Sequence, residues 1–262
     1  MFFNFSGLID KFIIKKNRLR RLLASALERN RDLDAVVAGA LMRINSRREY
    51  GYLRASRIVR HNATLRDEMP SLMNLFAVIR DGDTFVDIGA NAGLYTHSIS
   101  RLCSLYPNLK IVSVEPNPST FARLSFRGRD EIEFMNYAIS DIYGELEFVD
   151  GAVSHVFAAV DKRNSYHLPG QTTTVTARRL DDLFQSCHSL VLKIDVEGQE
   201  RNVLDGASRL LSNGSIRVVY LDGYEDQSIN DLLLSHGFAL FEGRTLVPNP
   251  GRVFSLLAIK QS

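Results

Sequence analysis

The chain has 262 residues, of which 45% are hydrophobic, and a mean hydropathy of −0.08. That suits a soluble globular protein with one α/β domain of about 200 residues and a smaller appendage. No apolar run reaches the ~18 residues a membrane-spanning helix needs. The two cysteines, Cys103 and Cys187, form neither a zinc spacing nor a disulfide framework, which fits a reducing cytosol.

The net charge of +2 is unevenly spread: residues 1–66 hold 15 Lys/Arg against 5 Asp/Glu, and residues 67–262 hold 17 against 25. The start, MFFNFSGLIDKFIIKKNRLRRLL, places Phe2, Phe3, Phe5, Leu8, Ile9, Phe12 and Ile13 ahead of Lys15, Lys16, Arg18, Arg20 and Arg21. A signal peptide has its basic residues first and a small-residue cleavage site. This order instead reads as an amphipathic helix lying on a membrane or on the body. Residues 1–69 are expected to form a basic, mostly helical extension that ends in a polar stretch, 60–70. Its charge either pairs with the acidic body or meets an anionic partner: a membrane surface, a lipid-linked sugar phosphate or a nucleic acid. The expected location is cytoplasmic, peripheral at the inner face of the membrane.

From residue 70 onward strands and helices alternate. Apolar runs at 84–88, 111–115, 132–137, 190–195 and 216–222 read as buried parallel strands. Helical stretches follow at 93–105, 118–127, 199–212 and 227–235, and FALFE (238–242) pairs with FSLLAIK (254–260) as a closing hairpin. The pattern is a doubly wound, Rossmann-like sheet. Residues 145–188 break the rhythm with alternating runs and Gly144, Gly151 and Gly170. They read as an antiparallel insertion near the carboxyl ends of the core strands, forming a substrate wall.

FVDIGANAGLYT (85–96) is a strand, a glycine turn and a helix start. Dinucleotide loops have their first two glycines two apart, and nucleoside triphosphate loops end in lysine. Here the pattern is D-x-G-x-N-x-G, with Asp87, Gly89, Ala90, Asn91 and Gly93. It suits a ligand without phosphates: Gly89 admits a bulky group, Gly93 lets the next helix close in, and Asp87 attracts an ammonium or sulfonium. S-adenosylmethionine carries both cations. Glu115, in VEPNP, stands at the end of the second strand, where a carboxylate accepts both ribose hydroxyls; Pro116 stops the strand and Asn117 caps the next helix. In NYAISD, Ala138 leaves room for adenine, and Asn136, Ser140 and Asp141 offer polar groups to its edge. VLKIDVEGQERNVLDGA (191–207) sets Lys193, Asp195 and Glu197 on one face of an extended strand, at the mouth of the sheet.

These blocks, with TARRLDDL (176–183), resemble the FkbM-type S-adenosylmethionine-dependent methyltransferases over roughly residues 70–260. The resemblance implies a class I methyltransferase fold, a seven-stranded and mostly parallel sheet with its last strand antiparallel, and usually O-methylation. The acceptor is then a small molecule or a glycan, such as a glycolipid precursor. Glu197 is the expected general base, Asp195 orients the substrate or cofactor, and Lys193 restrains their charges. His155 in the insertion is the rival base. Asp195 and Glu197 could together hold a divalent metal, but no further clustered ligand is evident, so no metal is expected. RNA methylation and a non-catalytic, cofactor-binding interaction protein are the alternatives. The acidic body argues against nucleic acid, and the sequence leaves the oligomeric state open.

Overall fold

The computed structural model of the chain describes residues 30–57, 62–126, 129–151, 157–159, 170–248 and 250–261. The Phe-rich, basic start and His155 lie outside them.

The first described elements depart from the helical expectation. Residues 32–45 form an antiparallel hairpin, β1 (Asp32–Val37) and β2 (Ala40–Asn45). Ala38 and Gly39 have φ of 50° and 81°, the left-handed pair that a two-residue hairpin turn requires. The side chains alternate with a period of two: Ala35 and Val37 are buried, whereas Asp34 and Val36 are exposed. Helix α1 (Tyr50–Arg57) follows, and then α2 (Ala63–Val78), which starts at the N-cap Asn62, whose side chain accepts a hydrogen bond from Leu65 N. The expected polar lead-in is therefore helical, and the boundary expected at 69/70 falls inside α2. Leu72 and Leu75 of α2 share a core with Ala35, Val37, Met42 and Ile44 of the hairpin and with Phe85, Val191 and Val218 of the main sheet.

That sheet has seven strands: β3 (Thr84–Ile88), β4 (Lys110–Val114), β5 (Ile132–Met135), β10 (Leu190–Ile194), β11 (Ile216–Asp222), β12 (Phe238–Glu242) and β13 (Ser255–Lys260). Their order is β12-β13-β11-β10-β3-β4-β5. The pairs from β11 to β5 are parallel, and β13 runs antiparallel to both its neighbours. The chain winds outward from β3 to β5, then returns to add β10 beside β3. The β3/β10 crevice is thus the topological switch point, where open α/β sheets bind ligands at the carboxyl ends of their strands. Neighbouring residues face opposite layers. Val86, Ile88, Leu192 and Ile194 meet Val203, Leu204, Leu210 and Ile229 on one side, whereas Phe85 and Val191 meet the hairpin and α2 on the other.

The insertion is a second sheet, ordered β6-β9-β7-β8, from β6 (Ala138–Ile139), β7 (Gly144–Gly151), β8 (Phe157–Ala159) and β9 (Gly170–Arg178). Its β7 pairs antiparallel with β8 and β9, as the alternation suggested. The TARRLDDL and LDGA stretches lock together behind it. Asp181 accepts hydrogen bonds from Arg209 N and Leu210 N and donates its own N–H to Gly206 O.

Candidate active site

The loop after β3 is held by left-handed residues, Gly89 (φ 74°), Asn91 (φ 51°) and Gly93 (φ 85°), and leads into α3 (Leu94–Ile99). A Cβ on Gly89 would lie 2.0 Å from the Asp195 carbonyl oxygen. The close approach expected there of a ligand is instead made by the backbone that follows β10. At Gly93 a Cβ would meet Leu124 at 2.6 Å and His97 at 2.8 Å, so this glycine lets the helices close in. Gly89 N and Ala90 N both donate to Val114 O at 3.0 Å, which pins the loop to β4.

Asp87 does not face the cleft. It is fully buried; Oδ2 accepts from Thr96 N (3.0 Å) and Thr96 Oγ1 (2.7 Å), and Lys193 Nζ stands 3.2 Å from Oδ1. Its charge fixes the strand–loop–helix corner and does not meet a ligand directly. Lys193, 3% exposed, also donates to Gly89 O (3.1 Å) and pairs with Asp195 Oδ2 (3.4 Å), and its ammonium lies 5.3 Å from the centre of the Tyr95 ring. Burial alone would lower the Lys193 pKa, but Asp87 and then Asp195 outweigh it and hold it above its ordinary value. Lys193 is therefore a positioning residue that ties β3, β10 and the loop together.

Glu115 leaves the end of β4 with only 6% of its surface exposed. Oε2 accepts from Asn91 N and Oε1 from Asn117 N, both at 2.9 Å. Each oxygen keeps a further acceptor direction, so the pair of oxygens can accept from a vicinal diol such as a ribose. Burial raises Glu115 to about 7, against the pull of those two N–H groups. Asn117 caps α4 (Pro118–Ser125) through Ser119 N and Thr120 N, as the sequence indicated. Asn136 Nδ2 donates to Glu115 O and Pro116 O, bracing the turn that presents Glu115. Ala138 sits in the small-sheet core with Phe148, Val175 and Ala177, so it does not leave an open wall for adenine.

The strand β10 ends at Ile194, so Lys193, Asp195 and Glu197 do not continue along one extended face. Glu197 has φ 51° and stands in a turn that Glu200 closes by accepting from Gly198 N (3.0 Å) and Val196 N (3.4 Å). Glu197 is reached by solvent, and Asp195 is 40% exposed. Partial desolvation, then the Asp195, Glu200 and Asp222 carboxylates, raise Glu197 to about 7. Two neighbours escaped the sequence reading. Asp222 ends β11, where a carboxylate closing an apolar strand was a usable signal. Glu68 lies on α2, in the stretch read as a polar lead-in, and nothing in its neighbourhood marked it. Burial, then Asp222, raises Glu68 to about 7. Among the described residues no group of three or more His, Cys, Asp or Glu is arranged to hold a metal.

Three glutamates near 7 make stability depend on pH. Each has a folded pKa above its unfolded value of about 4.3, so its contribution is fully present below that value and is lost as pH rises through about 7. Thermal melts of the ligand-free protein should give a Tm that falls from pH 5 to pH 8. A Tm that rises over that interval contradicts these environments.

A seven-stranded sheet of this order, with β13 antiparallel, is the class I methyltransferase fold. The family described as methyltransferase FkbM domain matches residues 87–240, and the chain belongs to this family of S-adenosylmethionine-dependent enzymes. It is 28% identical over 178 residues to hexuronic acid methyltransferase AglP of Haloferax volcanii, covering 64% of this chain and 69% of that protein. Among solved structures, the methyltransferase FkbM from Methylobacillus flagellatus KT aligns at 16% identity with a TM-score of 0.43, over 70% of this chain and 45% of that one. A precorrin-6y C5,15-methyltransferase from Geobacter metallireducens GS-15 aligns at 15% identity and 0.39, over 75% and 88%.

Proposed function

We propose that the protein transfers a methyl group from S-adenosylmethionine to a hydroxyl of a small molecule or sugar, such as a glycan or glycolipid precursor, and so makes a methyl ether. The observation that carries this is the place of Asp195 and Glu197, just past the carboxyl end of β10 and against the Gly89 loop that Glu115 braces. The sugar class is supported by the name of the AglP relative. When bound, the cofactor supplies a methyl on a sulfonium, already a good leaving group. The protein's share is alignment and proton removal. Glu115 would accept the ribose hydroxyls, Asp195 would orient the acceptor, and Glu197 would take the hydroxyl proton, so that the acceptor oxygen gains the methyl as the carbon–sulfur bond breaks and S-adenosylhomocysteine leaves as a neutral thioether. Lys193 keeps the loop and Asp195 in register.

Glu115→Ala tests the cofactor site. Two hydrogen bonds to a charged acceptor contribute about 1.5–3 kcal/mol each. Titration calorimetry with S-adenosylhomocysteine should show affinity weakened about a hundredfold or more, and unchanged affinity would remove Glu115 from the site. No helix among the described residues is long and apolar enough to cross a membrane. The proposed setting is the cytoplasm, with the Phe-rich, basic start of the chain resting on an anionic membrane surface where lipid-linked acceptors lie. Co-sedimentation with anionic vesicles, lost when residues 1–29 are removed, is the expected result.

A further inference from the structure

The helix α2 lies wholly outside the matched family segment, yet it packs beside the active-site residues. One face of it is docked on the carboxyl edge of the sheet. Ser71 Oγ accepts from Tyr220 Oη at 2.6 Å, Asn74 Nδ2 donates to Gly243 O and Arg244 O, and Glu68 lies one turn earlier on the same face. Tyr95 Oη donates to Glu68 Oε2 at 2.7 Å, and the same Tyr95 ring carries the Lys193 ammonium. Among the described residues Glu68 Oε1 makes no hydrogen bond. The groups that act on Glu68 are Tyr95 on α3, Lys193 and Asp195 on or after β10, and Asp222 at the end of β11. Tyr52 of α1 also lies within its field. Through Tyr95, Glu68 is thus joined to Lys193 and so to the end of β10. Asp195 and Asp222 act electrostatically on both Glu68 and Glu197. The buried cation beside them, Lys193, is already paired with Asp87 and Asp195.

We propose that Glu68 is an acceptor-binding residue whose Oε1 accepts a hydrogen bond from the acceptor, and that these carboxylates select a neutral or amino-bearing sugar over a sugar acid. The proposal rests on methyl transfer to a sugar hydroxyl. Above about pH 7, where Glu68 and Glu197 are ionised, an acceptor carboxylate would face like charge, which is strongly disfavoured at a binding surface. This preference would set the chain apart from the AglP relative, whose name gives a hexuronic acid. A hydroxyl or ammonium donates to Glu68 without that cost.

The test offers wild-type protein methyl glucoside, methyl glucosaminide and methyl glucuronide with labelled S-adenosylmethionine. The glucoside or the glucosaminide should be turned over at least about tenfold faster, as kcat/KM, than the glucuronide. Glu68→Gln should reduce that ratio about tenfold, and Tyr95→Phe, which releases Glu68, should raise KM for the neutral sugar with kcat nearly kept. Unchanged affinity for S-adenosylhomocysteine in both variants would show that the fold is intact. A preference for the glucuronide, or a ratio that Glu68→Gln leaves in place, overturns this inference alone. Methylation of none of the three while cofactor binds overturns the sugar-hydroxyl reading beneath it, and this inference with it.

Discussion

Replacing Glu197 by glutamine is expected to lower kcat by about 10²–10⁴, the usual worth of a general base, while leaving S-adenosylhomocysteine affinity nearly unchanged. The amide has the shape of the acid but takes no proton from an alcohol. The pH profile supplies an independent readout. Glu197 sits near 7, and it acts when ionised, so wild-type turnover should climb as pH rises through about 7 and then level off. In the variant that rise should disappear. Partial desolvation, and then repulsion from Asp195, Glu200 and Asp222, make ionisation harder, so Glu197 is a stronger base than an ordinary glutamate. Full turnover in the variant would remove Glu197 from the role, and His155 becomes the first residue to replace.

Lys193→Met should act on the scaffold. The ammonium and the Asp87 carboxylate are 3% and 0% exposed and stand 3.2 Å apart, between the two strands that form the switch point. Removing one partner of such a pair leaves the other buried without compensation, which costs about 3–5 kcal/mol. In a chain of this size that is a fall in Tm of roughly 10 °C. Gly89 O loses its donor at the same time, so cofactor affinity should weaken as well. The double variant Asp87→Asn with Lys193→Met should recover part of the lost stability, because the unpaired charge is gone. Single and double variants that melt alike would show that the pair contributes little.

The sheet was legible because its strands are buried on both faces. A strand such as Leu190–Ile194 must then be almost wholly apolar, and such runs stand out. The Asn117 cap and the closing hairpin were legible for a similar reason: a capping residue after a strand, and two apolar runs on either side of a turn, are local signals that need no tertiary context. The hairpin at 32–45 was hidden by its charges and by its short strands, although Ala38-Gly39 and the alternation around it are turn and strand signals once weighed against composition. Other features depend on contacts distant in sequence. The neighbour that forbids a side chain on Gly89 is Asp195, and the position of Glu68 is set by Tyr95, Tyr220 and the residue 243–244 loop. The register of Lys193 opposite Asp87 explains why an apolar strand carries a lysine, but it appears only when β3 and β10 are paired. Glu197 stands outside the strand because β10 ends at Ile194 and the chain then turns, with Glu197 itself at a positive φ, which alternation alone does not foresee.

The most direct test of methyl transfer to a sugar hydroxyl follows a carbon-13 methyl label from S-adenosylmethionine into neutral and amino-bearing methyl glycosides, read by NMR of the product. The expected result is a methyl ether on a sugar oxygen, formed by wild-type protein and lost in Glu197→Gln. Label found in a methyl ester or on nitrogen, or none transferred to any glycoside while S-adenosylhomocysteine binds, would contradict it.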